Sequence, residues 1–286
     1  MKYTILFPSD YFDITKIDET YMPEFQEGCK IPELNIAFYN HDKFIYEDKL
    51  EFYPKIKEID KGVCICRTWM LKQYEYEKLY DKLLPHDIKL INSPEEYIRM
   101  HLFPLIYPEI EKHTPKTIFF DDIKNINIDL INASFTRFMI KDYVKSVKEH
   151  DFPKYFETPV TYDELKIQVE KFIELRGSLF TGGIVFKKYV NLKKYGSVTN
   201  EYRVFYLNGE IITISINSNQ PDNCPYVPQS FADKFKNLPS NYYTVDFAEL
   251  DNGDFTILET GDGQVSGLSP NQYIFKYYDE IRRLPV

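Results

Sequence analysis

The strongest constraint in this chain is a pair of apolar runs near its C-terminus that each end in an acid. Tyr243-Thr-Val-Asp246-Phe-Ala and Thr256-Ile-Leu-Glu259-Thr-Gly-Asp262-Gly-Gln264 both read as buried strands. Between them lies Asp251-Asn-Gly-Asp254, and Asn-Gly supplies the positive φ angles of a tight hairpin turn. The spacing predicts a hairpin that sets Asp246 beside Glu259 on adjacent strands. Two carboxylates on rigid strands beside a Gly-rich bend make an oxygen cage suited to magnesium and the phosphates it carries. The plainer alternative is a solvated strand face that happens to bear acids.

Upstream, the first hundred or so residues alternate strand and helix patterns. Strands are expected at 3–7, 36–39, 63–66 and 88–91, and a helix over 68–84 that stops at Pro85. Ser93-Pro-Glu-Glu is a helix start, with an N-cap serine, proline at the first helical position and then acids. Such alternation favours a mainly parallel sheet covered by helices. After the connector His113-Thr-Pro-Lys, strands are expected at 117–120, 138–141 and 183–190, with a helix over 161–175. A hairpin over 201–217 turns at Asn208-Gly209, and a helix closes the chain between 270 and 284. The run 217–240, with four prolines, reads as a long irregular loop of the kind that often forms a lid.

A formal net charge of −9 argues against a general nucleic-acid binder, because phosphate backbones need a basic surface. It leaves room for a local basic pocket that takes one nucleotide. No apolar run approaches the roughly 20 residues of a membrane span, and the N-terminus lacks a signal-peptide pattern. Cys29, Cys64, Cys66 and Cys224 are few and scattered, which fits reduced thiols in a cytoplasmic protein better than a C-x-C metal pair. The five histidines show no ligand-like spacing, and Trp69 is expected in the core.

The candidate chemistry falls in a fixed order. Lys141 and Lys145 end one strand, Lys187 and Lys188 another, and Glu201 and Arg203 share a third. Asp246 and Glu259 follow. Cations neutralise phosphate oxygens and carboxylates hold a metal, so this set suits ATP with magnesium. Arg203 paired with Glu201 along one strand face is the structural alternative. Arg67 either caps its strand with an exposed charge or, at a strand's C-terminal end, meets an anionic substrate.

This order and spacing resemble the ATP-grasp superfamily, and in particular its clade named for one arginine and two lysines. The resemblance rests on Lys141-Asp-Tyr-Val-Lys145-Ser146, Glu201-Tyr-Arg203-Val-Phe and Glu259-Thr-Gly-Asp262-Gly-Gln264-Val-Ser-Gly267-Leu, with Arg67-Thr-Trp-Met-Leu and Ile91-Asn-Ser-Pro-Glu-Glu-Tyr in the N-terminal half. It implies an α/β and α+β architecture: a Rossmann-like pre-ATP-grasp domain over 1–115, then an ATP-grasp domain over 116–286 with subdomains at about 116–185 and 186–286. It also implies a ligase that activates a carboxylate as an acyl phosphate and joins it to an amine. Lys141 and Arg203 would hold the phosphates and the transferring group, and Lys145 a further phosphate. The backbone from Lys187 through Lys188 and Tyr189 to Val190 would read adenine, with Glu201 near the ribose. Asp246 and Glu259 would ligate magnesium. The family's Glu-x-Asn places asparagine at position 261, which here is Gly261, so Asp262 is the adjacent candidate and Gln264 a weaker one. Homodimers are common in the superfamily. A small-molecule kinase and a nucleotide-binding protein without turnover remain alternatives.

Overall fold

In the computed structural model, which describes residues 3–147 and 152–285, the early strand–helix alternation builds a five-stranded sheet. Its strands are β1 (Thr4–Pro8), β2 (Asn35–Tyr39), β3 (Phe52–Tyr53), β4 (Gly62–Cys66) and β5 (Ile88–Leu90), in the order β3-β2-β1-β4-β5. Neighbours run parallel except at the edge, where β3 is antiparallel. The central β1 is buried along its whole length, as a strand covered on both faces must be. Helices α1 (Met22–Gly28), α2 (His41–Glu47) and α3 (Gln73–Leu83) connect the strands. The helix expected from residue 68 starts only at Gln73. A helix from 68 would need the Lys72 amide to donate to Thr68 O; it donates instead to Glu75 Oε2 (2.6 Å), and the extended backbone of Lys72 sets the helix start at Gln73.

Helix α4 (Pro94–His101) begins at Ser93 as expected: Ser93 Oγ accepts from the Glu96 amide and the Glu96 carboxylate accepts from the Ser93 amide. Helix α5 (Phe103–Ile110) follows at once. Met100, Ile106 and Ile110 of this pair pack against Val245 and Ile257, far along the chain.

A second sheet is antiparallel throughout, in the order β6-β9-β7-β8, from β6 (Thr117–Phe120), β7 (Arg137–Asp142), β8 (Phe156–Glu157) and β9 (Ile184–Lys188). Helices α6 (Ile128–Ser134) and α7 (Tyr162–Arg176) cover one face through Ile131, Val169 and Phe172, which meet Phe138, Ile140 and Phe186. Alternation sends Met139, Lys141 and Lys187 to the opposite face. The expected division at 185/186 falls inside β9, which runs unbroken to Lys188.

After a ribbon of β10 (Lys194–Tyr195) and β11 (Val198–Thr199) comes the third sheet, antiparallel in the order β13-β12-β14-β15. It comprises β12 (Glu201–Leu207), β13 (Glu210–Ile216), β14 (Tyr242–Glu249) and β15 (Phe255–Asp262). The β12–β13 turn has positive φ at both Asn208 (50°) and Gly209 (79°), as Asn-Gly predicts. The β14–β15 turn differs: only Gly253 is positive (88°), and its amide closes on Leu250 O while Leu250 N donates to Asp254 O. That is a tight turn with a glycine bulge, and it still pairs the two acid-bearing strands. Between β13 and β14 the prolines leave only α8 (Gln229–Ala232) and a short 3-10 turn. The closing helix α9 (Ile274–Arg283) lays Tyr277, Tyr278 and Ile281 against Ile5 and Phe7 of β1 and Phe205 of β12, so the first and third sheets share a core. Among the described residues no helix is long and apolar enough to cross a membrane. All four cysteines are free thiols, and Cys64 and Cys66 are buried in β4.

Candidate active site

Across the third sheet, strand register sets Arg203 opposite Asp246 and Asp246 opposite Glu259, one row over β12, β14 and β15. Directly opposed side chains interact most strongly. Arg203 forks onto Asp246 through Nε (2.8 Å) and Nη2 (2.7 Å), and its Nη1 donates to Gly267 O (2.8 Å). Burial alone would lower the guanidinium's pKa, but the paired carboxylate outweighs it and the net shift is upward. From the facing second sheet, Lys141 Nζ donates to Glu259 Oε1 at 2.7 Å. Arg203 is therefore paired with Asp246 and not with Glu201, its structural alternative. Glu201 instead accepts from the Thr199 hydroxyl.

These groups line a cleft of about 380 Å³ together with Lys145, Lys187, Glu201 and the segment Lys188-Tyr189-Val190. Lys187 lies deeper than its position near a hinge suggests. Its Nζ donates to Leu258 O (2.6 Å) and sits 4.2 Å from the Phe103 ring centroid. Burial, and then the neighbouring Lys141, push its pKa well below the ordinary lysine value, with Glu259 opposing. Along the segment expected to read adenine, the Lys188 and Tyr189 amides already serve Lys116 O and Arg137 O. Lys145 is exposed on a loop wrapped around Asp142, whose carboxylate accepts from the Val144 and Lys145 amides and from Arg176 Nε (2.8 Å).

Two expected site residues lie elsewhere. Arg67 is 1% exposed and does not reach the cleft. Its Nε and Nη2 hold the Glu24 carboxylate (2.8 and 3.0 Å), and Nη1 donates to Gly263 O and Gln264 O. It is neither an exposed cap nor a substrate contact but a buried tie between β4 and the turn after β15. Asp262 is fully buried and also misses the cleft, because strand alternation turns it to the face opposite Glu259. There it accepts from Asn92 Nδ2 and the Gln264 amide, and burial raises its pKa to about 7. It cannot stand in for a ligand at position 261. Gly261 shares the strand face of Glu259 and lines the smaller cavity beside the cleft, and a Cβ there would lie 2.9 Å from Ser266 Oγ and 3.2 Å from Thr244 Oγ1. Those two hydroxyls bond to each other at 2.8 Å and occupy the space of the missing side chain.

A smaller polar cavity of about 80 Å³ adjoins the first and shares Lys145, Arg203, Asp246 and Glu259 with it. Thr244, Ser266 and His101 add polar groups to its wall. Thr244 was legible in principle, two residues before Asp246 on the same strand face. His101 and Ser266 reach the site only through tertiary packing.

The sequence profile of the ATP-grasp domain, R2K clade family 3, matches residues 130–281, more than half of the chain. The chain belongs to that ATP-grasp family. The match contains Lys141, Lys187, Arg203, Asp246 and Glu259. No curated protein matches the sequence. Among solved structures, D-alanyl-alanine synthetase A from Vibrio cholerae aligns over 99% of this chain and 93% of its own, with a TM-score of 0.58 at 12% identity. The ATP-grasp ligase PsnB, in complex with a variant of its minimal precursor, Mg and ADP, aligns over 98% of both chains (TM-score 0.57, 10% identity). The macrocyclase MdnC from Microcystis aeruginosa, bound with precursor peptide MdnA, aligns over 99% of both (TM-score 0.56, 14% identity). These likenesses establish a full-length ATP-grasp fold, a parallel N-terminal sheet followed by antiparallel ones.

Asp246 and Glu259 fit magnesium: they are hard oxygen donors, opposite each other on adjacent strands, at the wall of a cleft lined with cations. They are also few, since no cluster of three or more His, Cys, Asp or Glu placed to hold a metal occurs among the described residues.

Proposed function

We propose that this protein is an ATP- and magnesium-dependent ligase that joins a carboxylate to an amine through an acyl phosphate. The observation that carries this reading is the row Arg203–Asp246–Glu259, closed by Lys141 from the facing sheet, at the junction of a nucleotide-sized cleft and a small polar cavity. In the larger cleft, Lys187 to Val190 border the base and Glu201 the ribose, while Lys141, Lys145 and Arg203 hold phosphate oxygens. Magnesium, held by Asp246 and Glu259, would neutralise charge on the phosphates. A carboxylate oxygen in the smaller cavity attacks the terminal phosphorus and the bond to the bridging oxygen breaks, releasing ADP. Arg203 and Lys141 stabilise the charge that develops there. An amine then attacks the acyl carbon and loses its proton, and the bond to phosphate breaks to release inorganic phosphate.

The carboxylate is read as that of a peptide or amino acid, in keeping with the precursor-bound relatives of the same fold. Free buried thiols fit a reducing, cytoplasmic setting. Gly261 favours one rival, a nucleotide-binding protein without turnover, because the next position along the strand face of Glu259 carries no ligand. The test is a screen of amino acids and short peptides with ATP, magnesium and hydroxylamine. The ligase reading predicts hydroxamate with stoichiometric ADP and phosphate. Stable phosphoester without free phosphate would indicate a kinase, and nucleotide binding with no ADP from any mixture would favour the non-catalytic reading.

A further inference from the structure

The cations suited to phosphate and the carboxylates suited to metal are, in this structure, each other's partners. Arg203 forks onto Asp246 and Lys141 holds Glu259, all four at the wall of one cleft. A largely buried ion pair that loses one partner leaves an uncompensated charge, which is costly. Metal-free nucleotide would draw Arg203 and Lys141 toward its phosphates, away from Asp246 and Glu259, and bring further negative charge beside those carboxylates. Metal alone would engage the carboxylates and leave two cations facing a dication, with Lys187 a third in the same cleft. Only the metal–nucleotide complex brings anionic oxygens for the cations and a cation for the carboxylates at once. Arg203 stays anchored throughout by Nη1 on Gly267 O.

Building on the nucleotide site of the ligase reading, we propose that the Arg203–Asp246 and Lys141–Glu259 pairs make the cleft selective for the magnesium–nucleotide complex as one unit. Partner exchange within the two pairs rejects free nucleotide and free metal alike. Asp246 and Glu259 are then more than metal ligands: in the empty site they occupy the phosphate-binding cations.

This has a consequence that a simple metal-ligand role lacks. Removing a metal-ligand carboxylate should strengthen the binding of metal-free nucleotide. Calorimetric titration of ADP in chelator is expected to show Asp246→Asn binding about tenfold tighter than the unaltered protein, the scale of one charge-assisted interaction. The same variant should bind magnesium–ADP more weakly. Glu259→Gln reports independently through Lys141 and should change in the same two directions. Conversely, Arg203→Met should bind free manganese, followed by paramagnetic resonance without nucleotide, more tightly than the unaltered protein. The proposal is overturned if both carboxylate variants, shown folded by circular dichroism, bind metal-free ADP no better than the unaltered protein. If the unaltered protein binds neither ADP nor magnesium–ADP, the nucleotide site itself is refuted, an outcome distinct from failure of the exchange alone.

Discussion

His101 ends α4 with its ring stacked on Tyr97, centroids 5.2 Å apart. Burial, and then Lys145, lower its pKa to about 4, so it is neutral in the fold but titrates near 6.5 once unfolded. The unfolded chain therefore binds the extra proton first. The stability His101 contributes is complete above about pH 6.5 and is lost as pH falls toward 4. Between pH 7 and pH 5 that loss is about 2 kcal/mol. His101→Phe keeps the stacking and removes the titration, so urea unfolding of the variant should lose about that much less over the same interval. Equal losses in both proteins would contradict the assignment. His41, also lowered to about 4, keeps its own contribution in both, and Asp262, raised to about 7, contributes with the opposite sign in both. At this scale the acids of the cleft were legible, because strand period and a turn suffice to pair Asp246 with Glu259. Asp262 was misassigned although the same period of two excludes it from the cleft face. Arg67 could not be read, since its partner Glu24 lies on another element 43 residues away.

The β14–β15 hairpin is the element on which the proposed metal site depends. Gly253 has φ 88° and nothing within 4 Å of where a Cβ would stand. Gly253→Ala therefore isolates backbone strain from packing and should cost about 1 kcal/mol of unfolding free energy. A loss below a few tenths would mean that the turn relaxes without glycine. Both hairpins were legible because their turn residues state a backbone requirement locally. The start of α3 was not, because residues 68–71 carry helical spacing and only the extended backbone of Lys72, whose amide is taken by Glu75, begins the helix at Gln73. The loop around Asp142 was hidden because its clamp, Arg176, arrives from α7.

Across the whole molecule, the first and third sheets are tied by the core around Phe7, Phe205 and Tyr277 and by hydrogen bonds of the buried Arg67 to the turn after β15. Arg67 of the N-terminal half holds Glu24 and the turn carbonyls of Gly263 and Gln264, while the Tyr278 hydroxyl donates to Glu24 at 2.6 Å. Arg67→Met strands Glu24 and should lower unfolding free energy by about 3–5 kcal/mol, with Arg67→Met/Glu24→Gln losing less. Were Arg67 a substrate contact instead, the single variant would unfold normally. The order of lysines, arginine and acids along the chain made the family legible, whereas the pairing of cation with carboxylate across two sheets appears only in three dimensions. Asp246 and Glu259, facing Lys141 and Arg203, are proposed to form a magnesium–nucleotide site. That site is tested most directly by titrating magnesium against ADP binding in the unaltered protein and in Glu259→Gln. The prediction is saturable binding whose half-point moves to roughly tenfold or more magnesium in the variant, since ligand charge sets affinity at such sites. An unshifted half-point would contradict the claim and return the acid pair to a solvated strand face.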